Sequence, residues 1–474
     1  MTSRSPVSSA ADLSPARSLA LRLLLDAERE GAFVRELMNH APAMRRLDPR
    51  DAGLTSRLVL GVTAAQGQLD DLLNLFVEKP SRMRSAVRTA LRISAFELVY
   101  LGTPEYVAIS QGVLLSQRAK SGTAGFANAV LRKVAAAREP WLAAEDAAGE
   151  QRAIVSAARR CGLPVWLARE METGLGERAR ACFDSQLEPA PLAFAAAPDF
   201  AVSDEVACAP ISPALPGAFE PKDSRTFING HWLEDARAVA SDLSAQLIAA
   251  AATDAGPCLE IGAGRGTKTF TILSQAARAG LEHGRIHVAV DLFERKCAQS
   301  RERLERAHLP LPVFAAGDAR DLSDVLCRVG APGAGEYATV FLDAPCSGTG
   351  TMRRHPEIPW RLGRREIREQ IAPLQLELLC EAARFVAPGG QLLYATCSVL
   401  SCENADVVDA FLASGAGSRF ELAPLHEADL LCRDAFSSAR SFAALSEDAR
   451  GCFQSAPAPG AFDGHFCARF IARS

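Results

Sequence analysis

The segment PCLEIGAGRGTKT (Pro257–Thr269) constrains the fold of this chain more than any other stretch. It reads as a short apolar strand, then Gly262-Ala263-Gly264-Arg265-Gly266, then a helix beginning near Lys268. Glycines at such a junction let the chain turn tightly and let a ligand approach main-chain amides at a helix N-terminus. Many nucleotide binders share a loop of this kind, but no GxxxxGK[ST] pattern is present, which argues against triphosphate cleavage.

The residues that follow narrow the reading. RIHVAVD (Arg285–Asp291) is a second strand, and it ends in an acid placed to bind ribose hydroxyls. PVFAAGDARDL carries Asp318 after a third strand, and YATVFLDAPCSGTG carries Asp343 after a fourth. Strands that alternate with helices predict a largely parallel sheet, with its ligand crevice at the carboxyl ends of the strands. One such acid is more often a helix cap; three after successive strands favour a shared ligand. The cofactor-site candidates are Gly262, Ala263, Gly264, Arg265, Gly266, Thr267, Lys268, Asp291, Asp318 and Asp343.

Two cysteines belong to the same rim. Cys346 follows the fourth strand in DAPCSGTG, and Cys397 follows a fifth in QLLYATCSVLSCENADVV. A cysteine in an alanine-rich chain is usually a small buried apolar residue, as expected for Cys182 and Cys380. Cys346 and Cys397 instead sit in polar, small-residue turns at strand ends. Carbon-5 of cytosine explains a thiol there, because it is too weak a nucleophile to attack a sulfonium methyl unaided. A thiolate that adds to carbon-6 activates it, and splits one hard step into two easier ones. A helix starting near Cys402 or Asn404 would favour the thiolate. Spacing alone leaves open which of the two thiols attacks.

The rest of the chain bounds the setting. A length of 474 residues suggests two to four domains. Hydrophobic content of 48% and charged content of 23% exclude a mainly disordered or collagen-like protein. No apolar run of about 18 residues occurs, so no membrane span is expected. The opening MTSRSPVSSAADLSPARS lacks the apolar core of a secretory signal. Thirteen cysteines, an odd number, make a poor disulfide framework, so a reducing cytoplasm is the expected compartment. No metal is expected.

The net charge of −4 hides an asymmetry: residues 1–138 hold 19 Lys and Arg against 12 Asp and Glu. This suits a polyanion partner for the front of the chain, or is ordinary variation between domains. That front part reads as all helix. Ser14-Pro15 starts a helix with Leu21, Leu24 and Leu25 on one stripe, and Gly31 stops it. Further helices are expected over Pro49–Val77, Arg82–Leu101, Ala108–Ala119 and Ala124–Ala137. Val87, Leu91 and Leu98 line one face of the Arg82–Leu101 helix. Arg84, Arg88 and Arg92 share a stripe of it, which is either a phosphate contact or a solvated face. No cysteine precedes Cys161, and the polar stretch over 139–160 is the expected boundary. Beyond it, GLPVWLAREM opens a helix, proline- and alanine-rich stretches read as short strands and loops, and SDLSAQLIAA (Ser241–Ala250) reads as a helix.

Two resemblances join these readings. SPARSLALRLLLDAEREGAFV, RTALRISAFELVYLGTPEYVAISQGVLLSQ and GFANAVLRKV, over residues 14–138, resemble the NusB family of helical RNA-binding domains. That resemblance makes Arg17 an RNA-contact candidate. Residues 240–474 resemble RNA cytosine-5 methyltransferases of the Nol1/Nop2/Sun (Fmu) family, through SDLSAQ, DAPCSGTGTMRRHPEIPWR, LLYATCSVLSCENADVV and DGHFCARF. The domain order, with GLPVWL (Gly162–Leu167) after the helical part, resembles that of the bacterial members acting on 16S ribosomal RNA.

The resemblance implies a NusB-like domain over 1–140, a small α+β linking domain over 141–250 and a Rossmann-like methyltransferase domain over 251–474. It implies S-adenosylmethionine as cofactor and 16S ribosomal RNA as partner; a monomer is expected. It also implies Cys397 as nucleophile, Cys346 as the thiol that assists product release, and Asp343 beside them. Arg353 and Arg354, next to the DAPC motif, are expected to track phosphates with Arg17, Arg84, Arg88 and Arg92. The sequence departs from the family at the glycine loop, GAGRGTK in place of a form close to CAAPGGK, with the lysine kept in register. It also lacks the arginine-x-asparagine strand usual in the linking domain; LAFAAAPDF stands near that place.

Overall fold

A computed structural model describes residues 12–149, 151–200, 208–223, 227–228, 230–281 and 286–473. The first eleven residues of the stretch read for a signal, and Arg285 of the second strand, lie outside the described residues. Two compact units form. The first takes the chain as far as Glu172, with Arg180–Pro189 and Met352–Leu362; the second holds Thr173–Ala179, Ala190–Thr351 and Gly363–Ser474.

The first unit is helical. Pro15 opens the helix Pro15–Glu30, and Gly31 ends it at φ 63°, a left-handed conformation that favours glycine. The expected long helix from Pro49 is two, Pro49–Ala64 and Gln66–Asn74. Asp48 caps the first, accepting a hydrogen bond from the Asp51 N–H at 2.9 Å. Helices Ser85–Val99, Glu105–Ala119 and Ala124–Leu142 complete a core in which Leu58, Leu69, Leu91 and Leu131 are fully buried.

The stretch over 139–160 is held inside this unit rather than forming a linker. Trp141 is buried, and the Arg159 guanidinium lies 4.9 Å from its ring centroid, pairs with Asp146 at 2.5 Å and donates to the Trp141 carbonyl. Tyr100 in turn donates its hydroxyl hydrogen to the Arg159 carbonyl at 2.6 Å. The segment Met352–Leu362 is fixed to the helices as well. Trp360 donates its Nε1–H to the Ala64 carbonyl at 2.6 Å, and the Glu357 carboxylate accepts from the Val34 N–H at 2.8 Å.

The second unit contains two sheets. Strands β1 (Phe194–Ala196), β2 (Cys208–Pro210), β3 (Ala218–Pro221) and β4 (Ala238–Ala240) pair antiparallel in the order β2-β3-β1-β4. Rings of Phe194, Phe219 and Phe227 pack together on this sheet. The residues read as one linking domain are therefore shared out: 141–172 and 180–189 go with the helices, and these strands go with the second unit.

The larger sheet is built from β5 (Cys258–Ile261), β6 (His287–Asp291), β7 (Val313–Ala316), β8 (Tyr337–Asp343), β9 (Val386–Thr396), β10 (Phe420–Ala423), β11 (Phe453–Gln454) and β12 (Phe466–Ala472). Its order is β10-β12-β9-β8-β5-β6-β7, with β11 paired to β12. Strands β5 to β9 are parallel, as the alternation with helices predicts, and β12 enters antiparallel beside β9. Leu259, Val288, Val340 and Leu392 are fully buried, which is why these strands read as apolar runs. Chain order reverses between β5 and β8, and in open α/β sheets the ligand crevice lies at that point, outside the carboxyl ends. Among the described residues no helix is long and apolar enough to cross a membrane.

Candidate active site

The glycine loop leaves β5 at the reversal point. Gly262, Gly264 and Gly266 all have positive φ, 82°, 59° and 78°. At Gly262 a Cβ would run into the Asp343 carbonyl at the end of neighbouring β8, so the close approach of two strand ends requires glycine. At Gly264 a Cβ would meet only the Gly262 carbonyl at 3.8 Å, so the loop surface there is open. Gly266 precedes the helix Thr267–Arg278 and provides no side-chain cap, which suits a helix N-terminus that receives an anion. Arg303 braces the loop by donating to the Arg265 carbonyl at 2.6 Å and to Thr267 Oγ1 at 3.1 Å.

The three acids differ in their surroundings. Asp291, at the end of β6, is buried and accepts from the Gly264 N–H and the Phe293 N–H, each at 3.0 Å, so it joins strand end to glycine loop. Asp343 ends β8 and pairs with Lys268 at 2.6 Å. Burial disfavours the Lys268 ammonium, but the Asp343 carboxylate outweighs it and raises the pKa above the usual lysine value. Asp318, beyond β7, is half-buried and turned back on its own chain: it accepts from the Arg320 N–H and pairs with the Arg320 guanidinium at 2.5 Å. That pairing lowers its pKa.

Cys346 and Cys397 are brought together. Their sulfurs lie 3.3 Å apart, both partly exposed, one beyond β8 and the other beyond β9. The two thiols are unequal. Cys346, hydrogen-bonded to Cys397 and partly desolvated, has its pKa raised. Cys397 has its pKa lowered by that hydrogen bond, against the cost of burial and with help from the Lys268 charge. The Lys268 charge therefore favours a thiolate at Cys397.

Glu403, which sequence reasoning missed, fastens the two cysteine turns to each other. Fully buried, it accepts from the Ser347 N–H at 2.7 Å, from the Ser347 hydroxyl, from the Ser398 hydroxyl at 2.6 Å and from Gln375 Nε2 at 3.2 Å. Gln375 also donates to the Pro345 carbonyl at 2.8 Å. The only sequence signal was an acid inside the turn after the TCS motif. The Gly350 N–H donates to the Cys397 carbonyl at 2.9 Å, completing the frame. His465 is buried just before β12, 3.6 Å from Asp242; burial and then the Lys268 charge lower its pKa to about 4. Among the described residues no group of three or more His, Cys, Asp or Glu side chains is arranged to hold a metal ion.

The arginines expected to meet RNA all fall in the first unit. Arg17 is buried and grips Glu97 with two hydrogen bonds, at 2.8 and 2.5 Å, which corrects its reading as a phosphate contact: its charge is already used inside the core. Arg84 lies outside the helix Ser85–Val99 as its N-cap residue and is exposed. Arg92 pairs with Asp70 at 2.5 Å, and Arg88 lies 3.2 Å from the same carboxylate while donating to the Pro80 carbonyl. The stripe of three is thus one exposed cation and two cations sharing an acid. Arg353 is buried and Arg354 half-buried in the segment Met352–Leu362, where Arg35 donates to both their carbonyls, at 3.3 and 2.5 Å.

A parallel sheet with β12 entering antiparallel, a glycine loop after its first strand and acids after the next three define a Rossmann-like methyltransferase behind an all-helical domain. Comparison with known proteins agrees. The family described as "16S rRNA methyltransferase RsmB/F" matches residues 247–471, and the NusB family matches residues 14–136. The ribosomal RNA small subunit methyltransferase B of Thermus thermophilus is 30% identical over 400 residues, covering 84% of this chain and 87% of that protein. Its counterpart in Pseudomonas putida is 32% identical, covering 79% and 84%. Among solved structures, that of PH0851 covers 97% of this chain and 99% of that one, with a TM-score of 0.72 at 18% identity, a likeness of fold. This chain belongs to the RsmB/F family of 16S rRNA methyltransferases, with S-adenosylmethionine as methyl donor and small-subunit ribosomal RNA as substrate.

Proposed function

We infer that the chain methylates carbon-5 of a cytosine in 16S ribosomal RNA, with Cys397 as the attacking thiol. The observation that carries this reading is the pair of thiols 3.3 Å apart beyond the ends of β8 and β9, with the Lys268 charge favouring the thiolate of Cys397. S-adenosylmethionine supplies an electrophilic methyl group. The loop amides and the first turn of the helix Thr267–Arg278 suit its carboxylate, Asp291 its ribose hydroxyls and Asp318 its adenine amine. The open surface at Gly264 supports that fit, since a side chain there would project over the loop.

The Cys397 thiolate adds to carbon-6 of the cytosine, and the electron pair that reaches carbon-5 takes the methyl group, whose bond to the sulfonium breaks to leave a neutral thioether. Loss of the carbon-5 proton to a base then expels Cys397 as thiolate and restores the ring. Cys346 keeps its proton while it faces the Cys397 thiolate. Once that sulfur is bonded to carbon, the charge that held the proton is gone, which fits Cys346 to proton transfer at release. Asp343 and Lys268 border the same sulfurs, and Glu403 keeps the two turns in register. Exposed Arg84 and half-buried Arg354 remain candidates for phosphate contact, whereas Arg353 is buried.

Bisulfite sequencing of small-subunit ribosomal RNA, from cells with and without this gene, tests the reading. One cytosine protected only when the gene is present, and unprotected with Cys397→Ala, is the expected result. Methylation at a ring nitrogen or ribose, or protection of DNA instead, would replace the reading. No methyl transfer at all would leave an RNA-binding assembly factor.

A further inference from the structure

The first unit contains a cavity of about 210 Å³ that the reaction does not use. One wall is a face of the helix Pro49–Ala64 with Gly53, Arg57 and Leu60; the others come from Gln186 and Leu187 and from Met352, six residues after Cys346 in the chain. An engineered apolar cavity of about 150 Å³ takes a benzene ring, so this one has room for a pyrimidine or purine base. We propose that it receives one unpaired nucleobase of the RNA substrate, a neighbour of the target cytosine, and this rests on the RNA methyltransferase reading above.

Three independent features point there. Gln186 is 3% exposed, and neither its amide nitrogen nor its amide oxygen has a hydrogen-bond partner. A buried amide left unpaired on both atoms needs an explanation, and a base edge offers the donor and the acceptor it lacks, as glutamine pairs with adenine elsewhere.

Gly53 is the second. It sits inside a helix without a positive φ, where glycine is costlier than alanine, yet a Cβ there would meet nothing within 4 Å. Packing does not require the glycine, and its exposed position leaves this edge of the cavity open to an occupant. Arg57 is the third: it is half-buried on the same helix face with no ion pair among the described residues, so its charge is available to the phosphate of a seated nucleotide. Leu60, Leu187 and Met352 give the ring aliphatic contact. The wall is firm, because Arg35 ties down the carbonyls that follow Met352. An occupant is also expected on chemical grounds. Taking a cytosine out of its stack leaves its neighbours without stacking partners, and an enzyme that seats one of them fixes the register of the target.

The test uses the full-length protein and a small-subunit ribosomal RNA fragment that it methylates, with 2-aminopurine placed in turn at positions flanking the methylated cytosine. Gly53→Leu puts a good helix former where glycine stands, and Gln186→Leu removes a buried unpaired amide, so neither variant is expected to lose stability. With wild type, one flanking position should brighten on binding as it leaves the stack. With either variant that signal should vanish, and KM for the RNA should rise by about five- to 150-fold, the range for losing one stacked base, while kcat holds. Unchanged KM and unchanged fluorescence in both folded variants would overturn the proposal while leaving the methyltransferase reading intact. An RNA set that wild type neither binds nor methylates would overturn both.

Discussion

The ammonium of Lys268 lies 2.6 Å from the Asp343 carboxylate, joining the first turn after the glycine loop to the end of β8. The pair bridges the two strands between which the sheet reverses its order, and its positive partner also lowers the pKa of Cys397. One lysine therefore links the helix after the glycine loop to the β8 end and acts on the thiol as well.

Replacing it separates these effects. Cys397 must ionise to react, and the Lys268 charge favours the ionised form. In Lys268→Met the thiol pKa rises, so the acid limb of kcat/KM and the pH profile of Cys397 alkylation by iodoacetamide both move to higher pH. Profiles that coincide with wild type would mean that Lys268 does not reach the thiol electrostatically.

The two cysteines should fail differently. Cys397→Ala is expected to abolish methyl transfer and to give no adduct. Cys346→Ala should still allow attack but slow release, so a covalent protein–RNA complex accumulates on a denaturing gel run after incubation with RNA and S-adenosylmethionine. The opposite pattern, with an adduct only in Cys397→Ala, would make Cys346 the nucleophile.

Asp291→Ala should weaken S-adenosylmethionine binding by about 1–3 kcal/mol, the usual worth of hydrogen bonds to a charged group. Titration calorimetry reads this directly. The same carboxylate accepts from the Gly264 and Phe293 amides, so part of the loss is expected from a looser glycine loop. An unchanged affinity would remove Asp291 from the cofactor site.

Arg17 is expected to matter for folding. Its partner Glu97 is fully buried, and removing one member of a buried pair typically costs about 3–5 kcal/mol because the other charge is stranded. Arg17→Ala should therefore lower the urea midpoint while leaving RNA affinity of the folded fraction unchanged. A loss of affinity with no loss of stability would restore Arg17 as an RNA contact.

The sequence by itself determined the order of elements and the rim at which the candidate site residues gather. Apolar strands, glycine turns and residues just past strand ends are local patterns, and Gly262–Lys268, Asp291, Asp343, Cys346 and Cys397 were all legible from them. Local pattern also led astray where a short-range reading had more than one outcome. Arg84, Arg88 and Arg92 share a helical spacing, yet the helix begins after Arg84, and Asp70 engages the other two. The polar stretch over 139–160 has the composition of a boundary, yet Tyr100, donating to the Arg159 carbonyl, and the burial of Trp141 hold it in the helical unit.

Tertiary structure alone decided which charges are free and which are spent. Lys268 and Asp343 are 75 residues apart in the chain, Arg17 and Glu97 are 80, and Glu403 reaches back 56 residues to Ser347. No periodicity links such positions. A side chain's charge state depends on what the fold packs over it and sets beside it, so the acidity of Cys397 and the buried role of Arg17 exist only once the elements have come together.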